Sequence, residues 1–112
     1  MGKAKALTLL WKKEYIGRIL SGEKTATRRR TRPMVRVGGS YLIRDGFFTH
    51  LDERITVDRL YEQRLGEMTE EDAGREGAQS REAFIREWAG LYGQFNPEES
   101  VWVVEFRLSG AL

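Results

Sequence analysis

A short stretch of the chain, residues 22–32, concentrates side chains that could do chemistry. It contains one Lys, four Arg and a single acid, with threonine hydroxyls among them. A solvent-facing helix would interleave acids with these bases, and a half-buried strand would alternate them with apolar residues. The stretch therefore predicts contact with an anionic or hydrogen-bond-rich partner, and the alternative is a solvated basic loop.

The arginines of this stretch, together with Arg36 beyond Pro33, favour nucleic acid as the partner. A planar guanidinium binds phosphate through two parallel hydrogen bonds and also stacks on bases. Because alternate residues of an extended segment face opposite sides, one side could line a cleft while the other follows a phosphate backbone. The alternative is surface solubility with ion pairs to acidic helices. The residues predicted to bind RNA or a nucleotide are Lys24, Arg28, Arg29, Arg30, Arg32 and Arg36.

A lysine, a threonine and a glutamate could support nucleophilic catalysis. Lys24 and Thr27 would converge in a turn that leaves a helix, where a neutral amine could accept the hydroxyl proton. The alternative is that both side chains bond to local backbone. Glu76 falls where a short helix is predicted to end, and the negative end of the helix dipole disfavours an acid there. Lys24 or an Arg would compensate Glu76, which otherwise is an exposed acid.

The composition of the chain excludes several classes of site. Its 112 residues include no Cys and one His, which excludes disulfides, thiol catalysis, Cys-ligated zinc and a multi-His metal site. No metal and no cofactor are expected, and His50 is interpreted as a surface residue. No apolar run approaches the length of a membrane span, and the first residues lack the apolar core of a signal peptide. A cytoplasmic protein without membrane contact is expected.

The length and the hydrophobic pattern predict one domain over residues 1–112. Short apolar and helical patterns alternate along the chain in the order β-α-(basic loop)-β-β-β-α-α-β. Strands joined by short turns favour an antiparallel sheet, which could curl into a small barrel. The predicted strands cover 6–10, 40–44, 47–51 (a strand or a packed loop), 55–65 and 101–108, and the predicted helices cover 11–20, 69–76 and 80–92.

Local signals mark the ends and faces of these elements. Gly22 suits the left-handed position after the first helix. Thr69 and Asp72 have the spacing of a capping box at the start of the second helix. The alternation of the longest strand slips between Val57 and Leu60, which predicts a bulge. The three tryptophans fall on apolar faces and are interpreted as core residues rather than base-stacking platforms: Trp11, Trp88 and Trp102.

The motif Gly22-x-Lys24-x-x-Thr27-x-Arg29 resembles the Gly-x-Lys-x-x-Glu-x-Arg signature of ASCH domains, a PUA-like family, with Thr27 in place of the usual Glu. The segment 64–77 resembles the strand-to-helix segment of that family, and Trp88-x-x-x-Tyr92-Gly93 and 101–108 also fit. The resemblance covers about Leu7 to Leu108. It implies an α+β fold, a small PUA-like β-barrel of about five mainly antiparallel strands flanked by about three helices, with a cleft lined by the signature.

The resemblance also implies two classes of function. The family is generally regarded as binding RNA or nucleobase-containing ligands, which implies an RNA- or nucleotide-binding domain without catalysis. One bacterial branch hydrolyses the amide of N4-acetylcytidine with a Lys, a Thr and a Glu, which fall on Lys24, Thr27 and Glu76. In that enzyme Thr27 would attack the acetyl carbonyl, Lys24 would accept its proton, and Glu76 would orient Lys24 or relay the proton. Arg29 or backbone amides would stabilise the oxyanion.

Two further functions stay open at this point, a ribonuclease and a protein-interaction role tied to transcription. The partner expected from the resemblance is RNA or a nucleoside or nucleotide, and the protein is expected to be a monomer or a weak dimer. Salt dependence would separate the two main classes in part. Binding of an RNA backbone by several Arg weakens steeply with salt, whereas turnover of a neutral nucleoside does not.

Overall fold

Five strands and three α-helices form the fold in the computed structural model, which describes residues 8–111. Ala6 and Leu7 of the predicted first strand lie outside the described residues. A short 3-10 turn, Leu65–Glu67, follows the fourth strand. The strands are β1 (Thr8–Leu10), β2 (Ala26–Arg29), β3 (Ser40–Arg44), β4 (His50–Arg64) and β5 (Ser100–Ala111), and the helices are α1 (Lys13–Leu20), α2 (Glu70–Arg75) and α3 (Arg81–Tyr92).

The strands form one mixed sheet in the order β1-β3-β4-β5-β2. The pair β1–β3 is parallel and the other three pairs are antiparallel. The predicted α+β class, with five mainly antiparallel strands and three helices, is confirmed. The predicted closed barrel is wrong, because no backbone ladder within residues 8–111 joins β1 to β2. A side chain spans this gap instead, since Arg29 Nη2 donates to the Leu10 carbonyl at 3.0 Å.

Two strand boundaries differ from the sequence pattern. The pattern predicts a loop for the basic stretch, which instead contains β2, paired with β5 from Ala26 to Arg29. The predicted strand 47–51 is divided between a hairpin tip and the first residues of β4. Phe47 and Phe48 make this segment apolar, yet both side chains are exposed. The predicted bulge in β4 is confirmed, because its register with β5 shifts between Val57 and Arg59.

The buried apolar side chains form two clusters, and β5 contributes to both. The first cluster joins β5 to α1, β1, β3 and β4 and includes Ile19, Ile43, Ile55, Val104 and Phe106. The second joins β5 to the 3-10 turn, α2 and α3 and includes Leu65, Ala73, Phe84, Trp88 and Val101. Alternate residues of a strand face opposite sides of a sheet, so Val104 and Val101 connect separate halves of the core. Within residues 8–111, no helix combines the length and the apolar character needed to cross a membrane.

Candidate active site

Three elements hold the backbone on which Lys24 stands. Helix α1 ends at Leu20, and Gly22 follows with φ +85°, the left-handed conformation predicted for it. The Lys24 N–H then donates to the Arg18 carbonyl of α1 at 2.9 Å. The next residue, Thr25, donates to the carbonyl of Arg75 in α2 and accepts from Phe106 of β5. Lys24 is therefore fixed where α1, α2 and β5 meet.

Helix α2 brings Glu76 to the same place. The predicted capping box starts this helix, because the Thr69 hydroxyl accepts from the Asp72 N–H at 3.0 Å and the Asp72 carboxylate accepts from the Thr69 N–H at 2.9 Å. Glu76 caps the other end, with its N–H donating to the carbonyls of Asp72 and Ala73. Hydrogen bonds at both ends of this six-residue helix therefore fix the position of Glu76.

Glu76 lies between two buried cations. Lys24 Nζ donates to Glu76 Oε1 at 3.0 Å and to the Glu76 carbonyl at 3.1 Å. Arg28 Nη1 donates to the other carboxylate oxygen, Oε2, at 2.8 Å. Only 3% of Lys24 and 4% of Glu76 is exposed. The two cations supply the compensation that an acid at a helix C-terminus requires.

Two further side chains contact Arg28. Its Nη2 donates to Gln63 Oε1 at 2.7 Å, and it lies 3.6 Å from an Asp72 carboxylate oxygen. Burial raises the pKa of Asp72, but the hydrogen bonds from Thr69 and the positive charge of Arg28 outweigh it and hold the pKa below its ordinary value. Asp72 therefore stays ionised beside Arg28 over the whole neutral range.

The buried ion pairs form the floor of a cleft of about 280 Å³. Thr27 and Arg29 of β2 line one side, and the end of β1 lines another. Helix α3 supplies an aromatic wall. The ring centres of Phe84 and Trp88 are 5.9 Å apart, and those of Trp88 and Tyr92 are 4.5 Å apart. The charged residues of the lining are Lys12, Lys24, Arg28, Arg29, Glu76 and Glu87. Four cations against two carboxylates make the cleft electropositive.

Several buried donors around the cleft have no protein acceptor. Within the described part of the chain, this holds for the indole N–H groups of Trp11 and Trp88 and for Nε of Arg28, all of them residues of the lining. Buried donors without a partner cost free energy, so such groups call for an explanation. All three atoms are themselves buried, so the lining would have to shift before an acceptor on a ligand could reach them.

Burial shifts the pKa of two residues that line the cleft, Arg29 and Tyr15. Burial lowers the pKa of the Arg29 guanidinium, which lies 4.8 Å from the centre of the Trp11 ring. Burial also raises the pKa of the Tyr15 phenol to about 12, with the charge of Glu87 acting in the same direction. Lys24 Nζ lies 4.9 Å from the centre of the Tyr15 ring. The cleft thus holds a desolvated cation and a phenol that stays neutral.

The predicted catalytic set is brought together, although its members are not all bonded. Lys24, Thr27 and Glu76 line the same cleft. Among residues 8–111, no side-chain hydrogen bond joins Thr27 to Lys24, whose ammonium is directed to Glu76 instead. The Thr27 hydroxyl is therefore free for a ligand. The catalytic roles assigned to these residues stay predictions.

The predicted binding arginines separate into three environments. Arg28 lies in the buried floor, where the acids of α2 engage it, and Arg29 lies in the cleft lining. Arg30 and Arg32 are exposed beyond β2. Arg36 is exposed on the connection to β3, where its N–H donates to the Tyr41 hydroxyl. The single histidine, His50, is exposed at the start of β4, as expected.

The aromatic lining is the part of the site that the sequence pattern did not reveal. Trp11 and Trp88 are buried, as predicted for core residues, yet each also faces the cleft. Apolar spacing along a helix predicts which side chains are buried, but it does not predict whether a buried ring also lines a cleft. No group of three or more metal-ligating side chains occurs within the described residues.

Comparisons with known proteins identify the fold. No protein-family model and no curated protein matches the chain. An ASCH protein of Zymomonas mobilis is 18% identical, with 89% of this chain and 65% of that one covered and a TM-score of 0.61. The ASCH domain of Lactobacillus crispatus is 18% identical, with 82% and 68% covered and a TM-score of 0.57. A protein of Enterococcus faecalis assigned to DUF984 is 22% identical, with 83% and 66% covered and a TM-score of 0.58.

The chain therefore has the fold of an ASCH domain. It spans about two thirds of the length of the solved chains that it matches.

Proposed function

We propose that this protein binds RNA or a nucleotide and that the cleft receives one base of the ligand. The observation that carries this proposal is the combination of an aromatic wall with a buried, cationic floor at the Gly22-x-Lys24-x-x-Thr27-x-Arg29 motif. Flat bases stack on aromatic side chains, and their ring nitrogens and carbonyls accept hydrogen bonds. Lys12 and Arg29, two cations of the lining, can donate to those acceptors. A cleft of about 280 Å³ is close to the lower end of ligand-site volumes, about 300 Å³.

Binding can be tested through the tryptophans of the cleft. We expect cytidine and a short single-stranded RNA to quench tryptophan fluorescence at saturation. Tyr92→Ala removes a partly exposed ring of the aromatic wall and is expected to weaken binding of either ligand by about 1–3 kcal/mol. Phe47→Ala is the matched control, because it removes an exposed ring on the β3–β4 hairpin. A native protein that binds neither ligand would refute the proposal.

The second candidate function is hydrolysis of the amide of N4-acetylcytidine. The observation that favours it is the unbonded Thr27 hydroxyl in the same cleft as the buried Lys24–Glu76 pair. Lys24 first passes a proton to Glu76 Oε1, its hydrogen-bond partner at 3.0 Å. Thr27 Oγ1 then attacks the acetyl carbon while its proton moves to the neutral amine of Lys24. Arg28 keeps the Glu76 carboxylate in place from the other oxygen.

The remaining steps balance the reaction. Collapse of the tetrahedral intermediate breaks the bond to N4, which takes the proton from Lys24 and leaves as the amine of cytidine. Water then hydrolyses the acetyl ester on Thr27, so that acetate is released and the hydroxyl is restored. Arg29 could stabilise the oxyanion in both steps, since it lies on the same face of β2 as Thr27.

Acetate release from N4-acetylcytidine tests this candidate. Turnover by the native protein should be abolished in Thr27→Ala and Lys24→Ala, whereas Thr27→Ser keeps a hydroxyl and should retain part of it. Thr31→Ala, which changes an exposed threonine outside the cleft, is the control. Binding of cytidine without acetate release would refute the hydrolase and leave the binding function standing.

A further inference from the structure

Two exposed arginines beyond β2 each lie over an aromatic ring. The guanidinium of Arg30 lies 5.0 Å from the centre of the Tyr92 ring, and that of Arg32 lies 4.8 Å from the centre of the Trp102 ring. Such contacts contribute about 0.5–1 kcal/mol at exposed sites and restrict the rotamers of a long side chain. Each guanidinium is therefore already oriented, so less conformational entropy is lost when it binds a phosphate.

The hydrogen-bonding capacity of this pair is largely unused. Nε of Arg30 donates to a carboxylate oxygen of Glu99 at 2.7 Å, which leaves its two terminal nitrogens. Arg32 makes no side-chain hydrogen bond and no ion pair with any residue in the range 8–111. Two terminal nitrogens in one plane are the arrangement that binds a phosphate through two bonds.

The two arginines lie directly beside the cleft. Tyr92, under Arg30, belongs to the cleft lining and packs against Trp88 with the two rings tilted by 49°. Trp102, under Arg32, is paired in register with Arg29 of the cleft. Because Arg30 and Arg32 are two residues apart, their backbones are separated by at most about 7 Å. An RNA strand that extends out of the cleft would contact both guanidinium groups.

We propose that Arg30 and Arg32, seated on Tyr92 and Trp102, form a binding strip for the phosphodiester backbone of single-stranded RNA. This inference rests on the proposed binding function and narrows its ligand class. The preferred ligand is a nucleotide within an RNA strand, with one base in the cleft and the adjoining phosphates on the strip. A free nucleoside fills only the cleft. Arg28 and Arg36 do not belong to the strip, since Arg28 is buried and Arg36 follows Pro33.

Equilibrium binding of a fluorescently labelled single-stranded RNA over a series of salt concentrations tests the strip. Each phosphate contact contributes about 0.7 to the slope of log affinity against log salt for single strands. Arg30→Gln and Arg32→Gln should each lower the slope by about that amount, and should weaken binding about fivefold at ~0.1 M salt. Glu99→Gln removes the negative charge that pairs with Nε of Arg30 and should therefore strengthen RNA binding.

Arg86→Gln is the control, because it removes an exposed arginine of α3 whose carboxylate neighbour, Glu82, is 3.9 Å away. Trp102→Leu keeps the charge of Arg32 but removes its platform, so we expect weaker binding with an unchanged slope. If both Arg variants match Arg86→Gln, the strip is refuted. Binding of free cytidine to the native protein is measured in parallel. If the native protein binds RNA no more tightly than cytidine, the strip alone is refuted. If the native protein binds neither cytidine nor RNA, the binding function is refuted as well.

Discussion

At the scale of single residues, the site depends on one carboxylate that serves two cations. Both oxygens of Glu76 are occupied, one by Lys24 and one by Arg28, and water has almost no access to any of the three. Removing two charges from water is costly, and their shared counterion offsets that cost only while it is in place. The arrangement therefore stabilises the native state as a unit.

We expect Glu76→Gln to lower the free energy of unfolding by about 3–5 kcal/mol, because it leaves buried Lys24 without a counterion and Arg28 with only the carboxylate of Asp72 at 3.6 Å. Urea denaturation measures this change. Glu71→Gln, on the exposed side of the same helix, should stay within about 0.5 kcal/mol of the native protein. Equal stability of the two variants would contradict the buried arrangement.

The phenol of Tyr15 gives a prediction at high pH. Burial holds its pKa at about 12, above the ordinary value of 10.0, so the folded state favours the neutral phenol. This contribution to stability is complete below pH 10 and is lost as the pH rises towards 12. The pKa of Tyr61 is also raised, by burial and by its hydrogen bond to Glu105, so the late part of the tyrosinate absorbance titration should lose one component in Tyr15→Phe. An unchanged titration curve in that variant would contradict the assignment.

The residues of the site were predictable from the sequence where a local pattern carried them. The spacing of Lys24 and Thr27, and the awkward position of Glu76 at a helix end, are local signals that indicate one shared site. The environment of Arg28 was not predictable, because its partners lie 35 and 48 positions away in the chain. The arginines of the run look alike in the sequence, but the pleat of β2 and the neighbouring acids give them different environments in the structure.

At the scale of elements, α2 transmits the geometry of its first turn to the cleft. The carboxylate of Asp72 accepts from the Thr69 N–H and also faces Arg28, so the cap and the floor of the cleft share one side chain. A helix of six residues has little stability of its own. Its capping box is therefore a large part of what holds Glu76 in position.

Thr69→Ala should lower the free energy of unfolding by about 1 kcal/mol, as expected for loss of an N-cap hydroxyl. The same variant should also weaken ligand binding, because Asp72 and Glu76 lose part of their restraint. Thermal unfolding and cytidine binding measure the two effects, with Thr31→Ala as the control. A loss of stability with unchanged binding would show that the cap and the cleft are uncoupled.

Helix ends and the bulge of β4 were predictable because their signals lie within a few residues of one another. The parallel pairing of β1 with β3 and the open edge of the sheet were not, since they depend on strands that meet only in three dimensions. Pairing direction follows the path of the connecting chain, and the pattern of strand residues carries little information about it. The predicted barrel failed for this reason.

At the scale of the whole molecule, β5 joins the two halves of the core. Its residues Val104 and Phe106 pack in the cluster with α1, and Val101 packs in the cluster with α3. We propose that residues 1–112 form a single ASCH-type domain that unfolds in one step. Neither cluster keeps its packing if β5 leaves the sheet.

Val104→Ala and Val101→Ala should therefore lower the midpoint of the same unfolding transition, each through lost burial and a residual cavity. Far-ultraviolet circular dichroism and tryptophan fluorescence should give coincident curves for the native protein and for both variants. Two separated transitions, or a variant that affects only one probe, would contradict a single cooperative unit.

The pairing of β2 with β5 has a consequence for protein synthesis. Lys24 and Thr27 leave the ribosome before β5, but β2 pairs with no strand other than β5 in the described sheet. Arg29 pairs with Trp102, and the Thr25 carbonyl accepts a hydrogen bond from Phe106, so both contacts form only after β5 has been synthesised. A nascent chain that has not yet released residues 100–111 carries every charged group of the cleft but no cleft. During translation the arginine-rich stretch therefore has no strand partner until β5 is released, and we expect its selectivity for a ligand to begin only then.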